Sequence, residues 1–182
     1  LTAGWKGRAL DYPMCTRCLD QAKTLRQAYL RRWREMPLYW QWVQAELSAN
    51  NDTIRQFVSG RIRGGLSGPQ AANTFFQGLA ADGAKRALIA LTKEMYLDRS
   101  SPLFESRVVV FAHDEIILEI PEEKADAAAR RQAEVMVQEM ANLCPDVRIS
   151  AEPALMRRWY KDAEPVFDSG GKLIPWEPKE KQ

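Results

Sequence analysis

Asp114 and Glu115, with His113 just before them, lie between two apolar runs, Val108-Val109-Val110-Phe111-Ala112 and Ile116-Ile117-Leu118-Glu119-Ile120. Each run has the length and β-branched enrichment of a buried strand, so the acidic pair is expected at or beside the tip of a tight hairpin. A carboxylate held on a packed platform is costly unless a cation or a proton compensates it. Two readings follow. The acids are ligands of a divalent metal, or the turn is simply polar, Asp being an ordinary turn residue.

The surrounding pattern predicts the elements that must hold this hairpin. Residues 16–35 carry Leu19, Ala22, Leu25, Tyr29 and Trp33 on one helix face, and Pro37 interrupts that pattern. Asp11-Tyr12-Pro13 is the expected start of this helix. A second helix is expected from Leu38 to Leu47, with Trp40 and Val43 inward. Thr53 to Val58 and Arg61 to Arg63 read as a small basic hairpin bridged by Ser59-Gly60. Gly64-Gly65-Leu66-Ser67-Gly68-Pro69 is the clearest linker, and a long helix over 70–97 follows, with an apolar stripe at Phe76, Ala80, Ala84, Ala87, Leu91 and Met95. After the hairpin, Pro121 introduces a helix from Glu122 to Leu143, with acids in its first turn as the helix dipole favours. A strand near Val147 to Glu152 is expected to rejoin the sheet, and residues 161–182 read as a polar, mostly irregular tail. The order predicts an α+β fold with helices on one face of an antiparallel sheet.

Composition bounds the function classes. The 182 residues are 46% hydrophobic and 27% charged, an ordinary globular balance with room for one good core and a smaller lobe. No apolar run approaches membrane-spanning length and no signal-like N-terminus is visible; a start at Leu1 suggests a fragment or a processed chain. Cys15, Cys18 and Cys144 are an odd number, expected as reduced thiols in a cytosolic compartment. Cys15-x-x-Cys18 has the spacing of half a zinc site or a redox pair, but His113 is the lone histidine and no thioredoxin-like βαβ context accompanies it. The net charge of +2 hides an asymmetry: residues 1–100 hold 15 Lys and Arg against 8 Asp and Glu, and residues 101–182 hold 11 against 16. Such halves suit a protein that grips a phosphate backbone on one side and metal on the other. Solvated helix faces account for many of the same charges.

About forty residues before the hairpin the chain reads Asn73-x-x-x-Gln77-Gly78-x-Ala80-Ala81-Asp82-x-x-Lys85-x-Ala87. This resembles the helix that precedes an H-D-E hairpin in the family A DNA polymerases, the bacterial polymerase I type. The helix and strand after the hairpin, the Trp159 region, the Gly60-Arg61-Ile62-Arg63 turn and, more weakly, Tyr29, Trp33 and Pro37 are also similar to that family. The resemblance implies the C-terminal part of such a polymerase, phage-like in character. Residues 1–64 would be partial fingers, and 65–182 a palm with a C-terminal tail. A phage-encoded protein of this kind would work in the host cytoplasm.

The implied chemistry is template-directed addition of deoxynucleotides to a primer 3′ end, with pyrophosphate released. Phosphoryl transfer needs cations that neutralise spreading charge, and two Mg²⁺ ions held by carboxylates on rigid strands supply them. Mg²⁺ keeps several waters, so one or two protein carboxylates per ion suffice. Asp114 is the expected direct ligand, Glu115 a support to the metal site, and His113 a structural or primer-end contact. Asn73 and Gln77, four apart, share a helix face, and the resemblance implies that they probe the minor groove of primer–template DNA. Without it they read as a capping Asn and a solvent-facing Gln. Arg61 and Arg63 are phosphate candidates; Lys85 and Arg86 read equally well as surface charge, and Trp159 as core packing.

The chain departs from the family pattern in three places. Pro69 stands where the family usually carries Arg. The family's D-Y-S-x-x-E segment, source of the other metal-bridging Asp, has no match; Asp11-Tyr12 is followed by Pro13-Met14 and falls in the wrong order. The nucleotide-binding fingers helix is also unmatched. The isolated chain is therefore expected to be inactive and to need the N-terminal part of the polymerase. Two rivals remain. One is a non-catalytic DNA-binding remnant or split-polymerase subunit that needs a partner chain. The other is an unrelated hydrolase using Asp114, Glu115 and Glu119.

Overall fold

The computed structural model of the chain describes residues 15–178. The elements in order are α1 (Thr16–Arg32), α2 (Glu35–Ala49), β1 (Ile54–Arg55), β2 (Ile62–Arg63), α3 (Gly68–Leu97), β3 (Arg107–Ala112), β4 (Glu115–Glu119), a 3₁₀ turn (Glu122–Lys124), α4 (Ala125–Ala141), β5 (Leu155–Met156), β6 (Val166–Phe167) and β7 (Leu173–Trp176). The α+β composition agrees with the sequence pattern. The expected helix start at Asp11-Tyr12-Pro13 lies outside the described residues.

Two compact units divide within α3, at Gln77/Gly78, so the Gly64-Gly65 linker falls inside the first unit. The reason is packing. Leu66, Ala71 and Phe75 join Val43, Leu47 and Ile54 in one core, which keeps the linker with the helices before it. In this unit α2 begins at Glu35, with Pro37 in its first turn, where a missing N–H costs nothing. Trp42, rather than Trp40, belongs to the aromatic group that Tyr39, Phe57, Phe75 and Phe76 share. Gln56, 3% exposed, closes the β1–β2 turn: its Nε2 donates to the carbonyls of Thr74 (2.5 Å) and Phe75 (3.2 Å). The helix α1 buries none of its residues; Leu25 is 71% and Trp33 51% exposed, so its expected apolar face stays open.

The second unit is built on the C-terminal part of α3, on α4 and on the β3–β4 hairpin. Ala87, Leu91, Met95, Leu103, Ile116, Ala128 and Val135 form its core, with Val108, Leu118 and Ile120 packed against them. The predicted single stripe along α3 is corrected here: Phe76 and Ala80 are exposed, and Phe75 is buried instead. A helix that serves two cores has no one apolar face.

The sheet prediction also needs correction. The strands form three separate small sheets, β1–β2, β3–β4 and β5–β7–β6, not one antiparallel layer. Residues 147–152 form no strand; Val147 is 58% exposed in a turn off α4. A period-two pattern needs a backbone partner, and the segment that finds one is β5, parallel to β7. The tail, expected to be irregular, supplies that partner: β6 and β7 pair antiparallel. Asp126 on α4 accepts the Leu173 N–H (2.7 Å) and Arg130 Nε (3.0 Å), and Arg130 Nη2 donates to the Gly171 carbonyl (2.6 Å), clasping the tail to the helix. Residues 179–182 lie outside the description.

Candidate active site

The β3–β4 ladder pairs Val110 with Ile117, Phe111 with Ile116 and Ala112 with Glu115, which leaves His113 and Asp114 as a two-residue turn. His113 adopts φ +56, the left-handed conformation that Asn or Gly commonly supplies in such hairpins. A register irregularity between Val108 and Val110 marks a bulge at Val109. Side chains alternate along β4, so Ile116, Leu118 and Ile120 face the core while Glu115, Ile117 and Glu119 face outward. Val110 and Ala112, the cross-strand partners of Ile117 and Glu115, share that outer face. At the far end Arg107 pairs with Glu119 at 3.3 Å.

Asp114 and Glu115 are both exposed. The sequence argument that a packed platform makes these carboxylates costly is therefore corrected: they stand in solvent at a tip, with no desolvation to offset. What is rigid is the base below them. Gln132 on α4 donates to the Ile116 carbonyl at 2.6 Å, fixing the strand next to the turn. Glu94 on α3 takes Arg131 of α4 bidentately, at 2.7 and 3.0 Å, and accepts the Ser101 hydroxyl at 2.7 Å. Arg131's N–H groups hold the Glu94 carboxyl below its ordinary value, against a smaller opposing effect of burial. None of Gln132, Glu94 or Arg131 carried a sequence signal; each reads as an ordinary solvent-facing side chain until α3 and α4 are side by side.

Among the described residues, no group of three or more His, Cys, Asp or Glu converges to hold a metal. The pair offers the hard oxygen donors that Mg²⁺ takes, on one side only. As a complete metal centre the described residues do not suffice.

Asn73, Gln77, Arg61 and Arg63 lie in the first unit. Asn73 and Gln77 are both exposed on α3. Arg63 Nη1 donates to Thr74 Oγ1 at 3.0 Å, which ties the basic hairpin to the helix beside Asn73. Arg61 is exposed on the same hairpin turn. In the second unit Arg86 is ion-paired with Glu139 at 2.9 Å, while Lys85 is exposed. Trp159 is 57% exposed, which corrects its reading as core. Tyr160, next to it, stacks on Trp176 at 4.9 Å.

The family model for DNA polymerase family A matches residues 19–161. Among curated relatives, DNA polymerase I of Geobacillus stearothermophilus is 37% identical over 93 residues, 51% of this chain and 9% of that protein. DNA polymerase I of Bacillus caldotenax is 32% identical over 93 residues, with the same shares. DNA polymerase I of Aquifex aeolicus is 23% identical over 144 residues, 79% of this chain and 24% of that protein. The chain thus spans less than a quarter of the length of these relatives. No solved structure matches it. With the family model covering most of its length, including the helix and the hairpin that first suggested the resemblance, this chain belongs to DNA polymerase family A.

Proposed function

We propose that the chain is the C-terminal portion, rear fingers and palm, of a DNA-directed DNA polymerase, phage-like in type, which adds deoxynucleotides to a primer 3′ end. The observation that carries this reading is the hairpin tip of a family A chain, with Asp114 in the turn and Glu115 at the start of β4, standing clear of the core on a base held by Gln132 and the Glu94–Arg131 pair. Asp114 is the direct metal ligand, Glu115 supports the metal site from the outer face, and His113 orients the tip or touches the primer end. Bound Mg²⁺ would neutralise charge spreading over the transferred phosphoryl group. The missing oxygen donors come from a segment outside the described residues, whether of the same polypeptide or of a partner chain.

On this reading Asn73 and Gln77 present amides to the minor groove, whose acceptors are similar for every correct base pair. Arg61 and Arg63 sit close enough in sequence and fold to add phosphate contacts, Arg63 with its guanidinium oriented by Thr74. Primer–template DNA and deoxynucleoside triphosphates are the substrates. The isolated chain is inactive on this reading, because among the described residues no group of three or more metal-ligating side chains converges.

The test restores the chain to a complete polymerase and compares Asp114→Ala with wild type. Turnover should fall by several orders of magnitude with primer–template affinity nearly intact. Turnover within about tenfold of wild type, on the order of 1.4 kcal/mol of barrier, would exclude direct ligation. Clear primer extension by the purified 182-residue chain with Mg²⁺ would overturn the need for further donors.

A further inference from the structure

The first helix carries a second reactive feature that polymerisation does not use. Cys15 is the N-cap of α1, with φ −55 and ψ 121, and Cys18 lies in its first turn. Both are exposed. The Leu19 N–H already closes the first helical bond on the Cys15 carbonyl at 3.0 Å. Helix rise and radius then put Cα atoms three residues apart roughly 5 Å from one another, inside the ~4.4–6.8 Å Cα separation that a disulfide bridges. Cys15, with its extended backbone, makes no strict capping hydrogen bond through its thiol. The Cys18 N–H, then the Cys18 thiol, then the Arg17 N–H stabilise its thiolate and lower its pKa. The helix dipole acts in the same direction, and this helix is 17 residues long. Cys144, half-buried after α4, has no cysteine beside it in sequence and serves as an internal reference.

We propose that Cys15 and Cys18 are a reversible dithiol–disulfide couple that exchanges with low-molecular-weight disulfides of the glutathione class, with Cys15 as the attacking sulfur. The Cys15 thiolate attacks one sulfur of the small disulfide, forms a mixed disulfide and expels one thiolate, which takes a proton from solvent. Cys18 then loses its proton to solvent and attacks the Cys15 sulfur. That step forms the intramolecular bond and expels the second small thiolate, which is protonated in turn. Overall two protein thiols are oxidised and one small disulfide is reduced to two thiols. The oxidised product is a covalent clamp across the first turn of α1, a helix whose apolar face nothing else in the described chain buries.

The experiment equilibrates the purified 182-residue chain in graded mixtures of reduced and oxidised glutathione, quenches it in acid, alkylates the free thiols and maps the proteolytic peptides. The expected product joins the peptide that ends at Arg17 to the one that begins at Cys18, while Cys144 remains alkylated. In the reduced protein Cys15 should alkylate roughly tenfold faster than Cys144 at neutral pH, as a stabilised thiolate does. Cys18→Ser should stop at a glutathione adduct on Cys15, and Cys15→Ser should leave Cys18 largely unmodified. The proposal fails if wild type yields only glutathione adducts, or if both thiols stay reduced throughout. It also fails if Cys15 reacts no faster than Cys144.

Discussion

Replacing Glu94 by Gln removes one charge from the joint that holds α3 against α4 below the hairpin. Glu94 accepts two guanidinium N–H groups, at 2.7 and 3.0 Å, and the Ser101 hydroxyl at 2.7 Å. Hydrogen bonds to charged groups contribute about 1.5–3 kcal/mol. The Glu94 side chain is 18% exposed but the Arg131 side chain is 40% exposed, so water recovers part of the loss. Gln also keeps one acceptor. A net destabilisation of about 1–2 kcal/mol results, lowering the melting temperature by roughly 2–8 °C in a chain of this size. The pH dependence is the sharper test. The carboxyl is held below its ordinary value of 4.5 in the folded protein, so its stabilisation is complete above that value and fades as pH falls through the folded one. Gln does not titrate in this range. Thermal unfolding of both proteins should therefore show the full gap at pH 7 and a gap that closes as pH falls below the ordinary value of 4.5 toward the lower folded one. A gap of equal size at both pH values, or none at neutral pH, would refute the joint as an ionic one.

Three further outcomes follow from the same geometry. Ile116→Ala, at a residue 6% exposed, should cost about 2–4 kcal/mol in denaturant unfolding, because the core below the hairpin cannot collapse around the gap. On the proposed reading, Gln77→Ala in the complete polymerase should lower the ratio of matched to mismatched primer extension, with about 1 kcal/mol lost per contact and melting unchanged; an unaltered ratio would overturn the minor-groove proposal for Gln77. Asp126→Asn should speed hydrogen exchange at the Leu173 amide and leave that of the β3–β4 ladder unaffected, since Asp126 accepts the Leu173 N–H.

Local chemistry written into the chain was readable without coordinates. The hairpin declared itself through two β-branched runs around a polar triplet, and it formed with His113 and Asp114 in the turn. The long helix, expected over 70–97, runs over Gly68–Leu97, because its Ala- and Leu-rich run favours helix locally even with Gly78 and Gly83 inside it. The helix after Pro121 and the basic β1–β2 hairpin were legible for the same reason: their signals span a few neighbours. The spacing of Asn73, Gln77 and the acidic turn likewise pointed to a family before any distance was known.

What the sequence could not decide was which surface meets which. Phe75 and Phe76 are equal in composition, yet only Phe75 is buried, because the first core lies on one side of α3. Val147 to Glu152 had the strand pattern and no partner, whereas Leu155–Met156 and the tail found each other through backbone pairing. Gln132, Glu94 and Arg131 became structural only when two helices came side by side and their polar groups met at hydrogen-bonding distance. The exposure of Asp114 and Glu115 belongs to this class too. An apolar run says that one face of a strand is buried; it does not say whether the tip beyond it reaches the core or water, because that depends on which neighbours the fold brings to it.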